Sequence, residues 1–130
     1  MSAAPRRKGL DGERELVRLL RVHLGEAVVR NLSQCREGGC DLLGIAGWAV
    51  ECQRAGKHPR LGQWWAQAVT QAETARLKPA LAYRLDRQPW RVRVGLGTLR
   101  PEWGIICTDV GYTAELTLTA FAALVKEGLC

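Results

Sequence analysis

Apolar residues recur at helical spacing near the start of the chain. One face of the predicted helix carries four leucines, at positions 16, 19, 20 and 24. Asp11 suits the N-cap position, and Glu13 suits the first turn, where negative charge stabilises the helix dipole. The pattern predicts a helix over residues 12–24, preceded by a basic flexible arm over residues 1–8.

A polar loop divides the strand patterns that follow. Residues 27–31 predict a strand, and residues 33–39, which contain two adjacent glycines, predict a loop. Residues 41–45 and 48–53 predict a hairpin that turns at Ala46-Gly47. Because side chains alternate along a strand, one face of the second hairpin strand holds Ala49, Glu51 and Gln53.

The second half of the chain returns to a helical pattern and then to strands. A helix is predicted over residues 61–78, ended by Pro79. A last helix is predicted over residues 114–126, capped by Thr113. Between these helices the pattern predicts strands over residues 80–84 and 90–96. It leaves open whether residues 105–108 form a third strand.

The resulting order, α-β-β-β-α-β-β-α, mixes hairpins with a crossover helix. It predicts an α/β fold with a mixed central sheet flanked by helices. With 130 residues, of which 47% are hydrophobic, the chain suits a single domain over residues 1–130. No apolar run can span a bilayer and no signal-peptide pattern follows the basic start. We therefore expect a cytoplasmic protein.

Positive charge is concentrated in the first part of the chain. The net charge is +6, and residues 1–100 hold 18 Lys and Arg against nine Asp and Glu. This favours a surface that binds a polyanion, although solubility charge alone would also explain the composition. The five cysteines have irregular spacing and are interpreted as free thiols. Cys35 and Cys40 lack the second ligand pair that a structural zinc site needs.

The candidate chemistry lies in the predicted hairpin. A turn centred on Ala46 sets Asp41 opposite Glu51, with Cβ atoms about 5 Å apart. Two carboxylates at that distance repel each other unless a cation lies between them, and Mg²⁺ prefers such oxygen ligands. The structural alternative is that Asp41 is only a turn residue and that Glu13 only complements the helix dipole.

Several short stretches occur together in a recognisable order: Arg7-Lys8-Gly9, Gly12-Glu13-Arg14-Glu15-Leu16-Val17, Val28-Val29-Arg30, Gly39-Cys40-Asp41-Leu42-Leu43 and Ala49-Val50-Glu51-Cys52-Gln53. A helix with Gln67 and Gln71 and a strand over residues 79–85 follow. Together they resemble the archaeal and phage-type Holliday junction resolvases of the PD-(D/E)XK nuclease superfamily. A second group of small nuclease-like proteins in that superfamily shares part of the layout.

The resemblance implies a restriction-endonuclease-like core and a DNA endonuclease that depends on Mg²⁺, with Mn²⁺ as a substitute. Asp41 and Glu51 would be metal ligands, assisted by the Cys52 carbonyl. Glu13 would bind the metal through water or orient the attacking water, and Ser33 would contact the DNA backbone. The working unit would be a homodimer on branched or duplex DNA, without a small-molecule cofactor.

One position departs from the family pattern. The family motif ends in Glu-x-Lys, whereas this chain has Gln53 after Glu51. An amide donates hydrogen bonds but carries no positive charge, so the rate and mechanism of catalysis are open. Three interpretations therefore remain: a junction-resolving endonuclease, another PD-(D/E)XK nicking or repair nuclease, or a DNA-binding module with weakened catalysis.

Binding to DNA would depend on shape and phosphates, because no base-reading motif is present. The predicted contacts are the basic residues around the site: Arg6, Arg7, Lys8, Arg36, Arg54, Lys57 and Arg60.

Overall fold

The computed structural model describes residues 3–32, 40–104 and 108–128, with side chains from residue 8 onward. These residues form one sheet whose six strands are β1 (Val29–Arg30), β2 (Leu42–Leu43), β3 (Trp48–Ala55), β4 (Lys78–Leu85), β5 (Arg91–Gly95) and β6 (Thr113–Thr117). The strands neighbour one another in chain order. Every pair is antiparallel except β3 and β4, which are parallel.

Helices cover both faces of this sheet. In the described residues they are α1 (Ala3–Leu24), α2 (Leu61–Ala75), the single turn α3 (Leu96–Leu99) and α4 (Leu118–Lys126). Two 3₁₀ turns, Pro101–Trp103 and Val110–Tyr112, lie between α3 and β6. None of the described helices is long and apolar enough to cross a membrane. The predicted α/β class, with a mixed sheet between helices, is confirmed.

The two faces of the sheet contact different helices. Leu20 of α1 and Phe121 of α4 pack with Val50 on one face. Trp65 of α2 packs with Leu81 on the other face. Because β3 and β4 are central and covered on both sides, most of their residues are buried whichever way they point. The parallel register places Glu51 beside Leu81, so Glu51 lies on the face that α2 covers.

Helix α1 begins well before its predicted start. It includes residues 3–8, which were predicted to form a flexible arm. Pro5 is compatible with this position, because the first N–H groups of a helix have no partner in the helix. Lys8 reaches across to Asp86, with 3.1 Å between Nζ and Oδ1. Because the N-terminal end of α1 is held by this polar contact, the spacing of apolar residues did not predict that the helix extends so far.

A glycine in the same helix allows close packing against β3. Gly12 is buried, and a Cβ atom at this position would lie 2.4 Å from Cγ of Arg54. The Arg54 side chain therefore occupies the space that any larger residue at position 12 would need.

The predicted end of the second helix was wrong by three residues. Helix α2 ends at Ala75, because Arg76 adopts the left-handed conformation with φ of 58°. Lys78 and Pro79 belong to β4 instead. Pairing between β4 and β5 starts at Ala80, so Pro79 lies near the beginning of the strand, where a missing N–H group is tolerated.

The predicted last helix was wrong over its first four residues. Thr113–Thr117 forms β6, and α4 begins only at Leu118. Cross-strand ion pairs favour the strand, since Glu115 bonds Arg91 at 2.8 Å and Arg93 at 3.3 Å on β5. Of the strand left open over residues 105–108, residues 105–107 lie outside the described residues.

We expect Thr117→Ala to destabilise the protein by about 1 kcal/mol, because the Thr117 side chain accepts a hydrogen bond from the Ala120 N–H group at the start of α4. Urea unfolding measures the change. Thr119→Ala, at an exposed position in the first turn of the same helix, is the matched control. Equal losses of stability in both variants would contradict the assignment of Thr117 as the cap.

Candidate active site

Two carboxylates are buried side by side where β2 meets β3. Asp41 is 5% exposed and Glu51 is 1% exposed, and they are the buried acidic residues of the described chain. The pairing of Leu42 with Val50 sets the register that brings Asp41 against Glu51. The predicted hairpin turn is therefore confirmed, although its first strand is shorter than predicted.

Asp41 is held by the backbone on both sides. Its Oδ2 atom accepts a hydrogen bond from the Cys52 N–H group at 2.7 Å. Its carbonyl oxygen accepts one from the N–H group of Asn31 at 2.8 Å, and its own N–H group donates to the Val50 carbonyl at 3.1 Å. Asn31 also donates through Nδ2 to the carbonyl of Cys40. Asp41 therefore has a fixed position over β3.

Glu51 is buried without a positive partner. Burial above all, together with the neighbouring charges of Asp41 and Glu13, raises its pKa to about 8. A hydrogen bond from Nε2 of Gln67 to Oε2, at 2.7 Å, acts in the opposite direction. The other oxygen, Oε1, has no hydrogen-bond partner in the described structure. Such an orphaned buried acceptor is costly unless another group binds it.

Glu13 completes the acidic cluster from the helix side. It is half-buried on α1, and its Oε1 accepts a hydrogen bond from Nε of Arg30 at 3.2 Å. Its charge is one of the causes that raise the pKa of Glu51. Arg30 was not predicted as a site residue. The signal for it was its place in the stretch Val28-Val29-Arg30.

The charges of these residues suit a site that holds a divalent cation. Within the described residues, the groups that shift the pKa of Glu51 are two carboxylates and one amide, and none of them is a cation. The described His, Cys, Asp and Glu side chains form no group of three or more metal ligands. A cation held by Asp41 and Glu51 would therefore complete its shell with backbone, water and phosphate oxygens, as Mg²⁺ commonly does.

Gln53 and Cys52 point to opposite faces of β3. Gln53 is half-buried and pairs in register with Tyr83, on the same face as Glu51. The Cys52 thiol is buried among apolar residues on the other face, and burial raises its pKa well above its ordinary value. Cys52 serves the site through its N–H group, while the proposed role of its carbonyl stays a prediction.

The predicted DNA-binding residues whose side chains the structure describes are Lys8, Arg54, Lys57 and Arg60. Lys8 and Arg54 both bond Asp86, at 3.1 and 3.2 Å, so part of their charge is neutralised. Lys57 and Arg60 are exposed between β3 and α2. Arg6 and Arg7 belong to α1, but the description of side chains begins after them. Ser33 and Arg36 lie outside the described residues.

No family model matches the sequence, and no curated protein matches it. The fold is similar to the solved structure of Hjc from Archaeoglobus fulgidus, described as a Holliday junction resolvase from an archaeal hyperthermophile. That similarity has a TM-score of 0.48 and 24% sequence identity, and it covers 62% of this chain and 70% of that chain.

We expect Glu51→Gln to stabilise the metal-free protein increasingly as pH rises from about 4.5 to about 8. Glu51 has a higher pKa in the folded protein than its ordinary 4.5, so the folded state of the natural protein loses stability as pH rises through this range. The difference at the upper end is on the order of a few kcal/mol, at about 1.4 kcal/mol per pKa unit.

Urea unfolding in a metal chelator at several pH values measures this difference. Glu73→Gln, which removes an exposed carboxylate from α2, is the control and should show no such trend. A constant difference between Glu51→Gln and the natural protein across this pH range would show that Glu51 ionises normally.

Proposed function

We propose that the protein is a metal-dependent endodeoxyribonuclease whose centre is the pair Asp41 and Glu51. The observation that carries this proposal is Glu51 itself, a fully buried strand carboxylate with one unpartnered oxygen, placed beside Asp41. A buried charge of this kind needs a counter-charge, and a divalent ion supplies one in the form that phosphate chemistry uses.

The chain's own residues prepare the site before any substrate arrives. The Cys52 N–H group orients Asp41, and the Gln67 amide orients Glu51, so two ligands are fixed by groups that carry no charge. Mg²⁺ or Mn²⁺, when bound there, would supply positive charge for the scissile phosphate and lower the pKa of water. Glu13, which Arg30 holds by an ion pair, would orient a water molecule.

Gln53 would act as a hydrogen-bond donor at this centre. It follows Glu51 on the same face of β3. Its amide can bond a phosphate oxygen, yet it cannot offset the negative charge that grows in the transition state. We propose that the enzyme works with this weaker donor.

The proposed substrate is branched DNA, above all the four-way junction. The resemblance of the sequence to junction resolvases supports this choice. A four-way junction needs two symmetric cuts, so we also propose a homodimer, in which a two-fold axis relates two sites. Lys57 and Arg60, which are exposed between β3 and α2, would contact phosphates outside the carboxylate pair.

We expect the purified protein to nick a four-way junction symmetrically in Mg²⁺ or Mn²⁺, and Asp41→Asn and Glu51→Gln to lower the single-turnover rate more than about 100-fold. Even residues that only support metal ligands typically cost about 10- to 100-fold when they are changed. Labelled junction, linear duplex and splayed-arm substrates measure the selectivity. Glu127→Gln, an exposed carboxylate after α4, is the control and should keep the natural rate.

The same assay separates the alternatives. Cleavage of all three substrates at similar rates would replace junction resolution by a more general nicking or repair activity. Binding without cleavage, unchanged in Asp41→Asn, would show instead a DNA-binding module without catalysis.

We expect Gln53→Lys to cleave faster than the natural protein at neutral pH, because an ammonium group at this position stabilises negative charge on the phosphate. Single-turnover rates at saturating metal measure the change. Gln63→Lys adds the same charge at an exposed position on α2 and is the matched control. A rate for Gln53→Lys equal to that of the control would show that position 53 does not act on the reacting phosphate.

A further inference from the structure

A groove of about 670 Å³ runs between α1 and β1, on the side of the molecule where Glu13 lies. Four arginines line it, and the lining includes one acidic residue, Glu26. The groove therefore carries a clear positive charge. Arg14, Arg18 and Arg21 are not among the residues that the sequence predicts to contact DNA.

Two of the arginines are free to bind a ligand. Arg14 and Arg18 are exposed, one helical turn apart on α1, and neither forms a hydrogen bond or an ion pair with another described residue. Residues four apart in a helix are separated by about 6 Å along its axis. These two side chains therefore present a short row of unneutralised charge along the groove.

The other two arginines are fixed and join the groove to the site. Arg21 donates from Nε to the Val28 carbonyl at 2.8 Å and is 3.9 Å from Glu26, whose side chain is 90% exposed. Arg30 bonds Glu13 at 3.2 Å. Through Arg30, the positive groove borders the carboxylate that α1 contributes to the site.

The lining also favours one class of occupant. Val22 and Leu32 are 78% and 79% exposed, so an apolar rim lies beside the arginines. A second copy of the chain, related by a two-fold axis through this patch, would bring the arginines of both copies face to face. A phosphodiester backbone instead offers negative charges to the arginines and sugars to the apolar rim.

We propose that the groove between α1 and β1 binds the phosphate backbone of one DNA arm, at the part of that arm that extends away from the phosphate to be cleaved. This inference rests on the proposed function, because it assigns a path to the substrate of the same site. If DNA binds in this groove, Arg18 is a DNA-binding residue that does not touch the reacting atoms.

Fluorescence anisotropy with labelled four-way junction and duplex DNA, in a chelator and over a series of salt concentrations, tests this assignment. We expect Arg18→Ala to weaken binding several-fold and to reduce the slope of log affinity against log salt by about one. Arg18→Lys should restore most of the slope, and Arg18→Glu should weaken binding further. Lys126→Ala removes one exposed positive charge from α4, outside the groove, and should keep both affinity and slope.

A second measurement does not depend on affinity. A photo-crosslinking side chain in place of Val22 should attach to the DNA, whereas the same side chain in place of the exposed Trp103 should not. Crosslinking between two protein chains at position 22 would overturn the proposal in favour of a second copy.

The outcomes separate this inference from the proposed function. Suppose that the natural protein binds and cleaves DNA, and that Arg18→Ala has the same affinity and salt slope as Lys126→Ala. This result would overturn the assignment of the groove as a DNA-binding site, but it would not contradict the nuclease function. A natural protein that binds no DNA would overturn both.

Discussion

A carboxylate inside a protein must hold a proton or meet a positive charge, and this fold places one carboxylate beside another. Glu51 lies under α2 on a central strand, where the solvent cannot stabilise its charge, and Asp41 is fixed against it by a backbone N–H group. The apolar packing on both faces of β3 makes this arrangement rigid. An ionised Glu51 therefore destabilises the fold unless it takes up a proton or a positive charge comes to it.

The supporting polar groups come from three different elements. Gln67 reaches the pair from α2, the Cys52 N–H group reaches it from β3, and Arg30 on β1 holds Glu13 of α1. The crossover from β3 through α2 to β4 brings Gln67 over the strand that carries Glu51. Because each support belongs to a separate element, the assembled site is a property of the tertiary fold and not of one segment.

Most of the fold and the main pair could be predicted from sequence because both depend on local patterns. The alternation along residues 48–53 and the turn at Ala46 suffice to place Asp41 opposite Glu51. The start of α1 could not be found in this way, since Lys8 packs against Asp86 through charge and not through apolar contact. The strand β6 was also missed, because its pairing with Arg91 and Arg93 is visible only across strands.

The groups that complete the site are long-range contacts, which no spacing rule specifies. The sequence predicts Gln67 to lie on a helix, and only the packing of α2 on the sheet directs its side chain to Glu51. Arg30 lay in a short strand without any sign of its partner on α1. A pair of residues on adjacent strands is therefore far more predictable than a pair on different layers.

Gly12 shows how strictly the layers are spaced. It precedes Glu13 directly, and the Arg54 side chain fills the place where its Cβ atom would be. The missing side chain thus sets how near the helix backbone comes to β3, and with it how near the helix carboxylate comes to the strand pair. A design that transfers Glu13, Asp41 and Glu51 to another scaffold would therefore also need a glycine immediately before the helix glutamate.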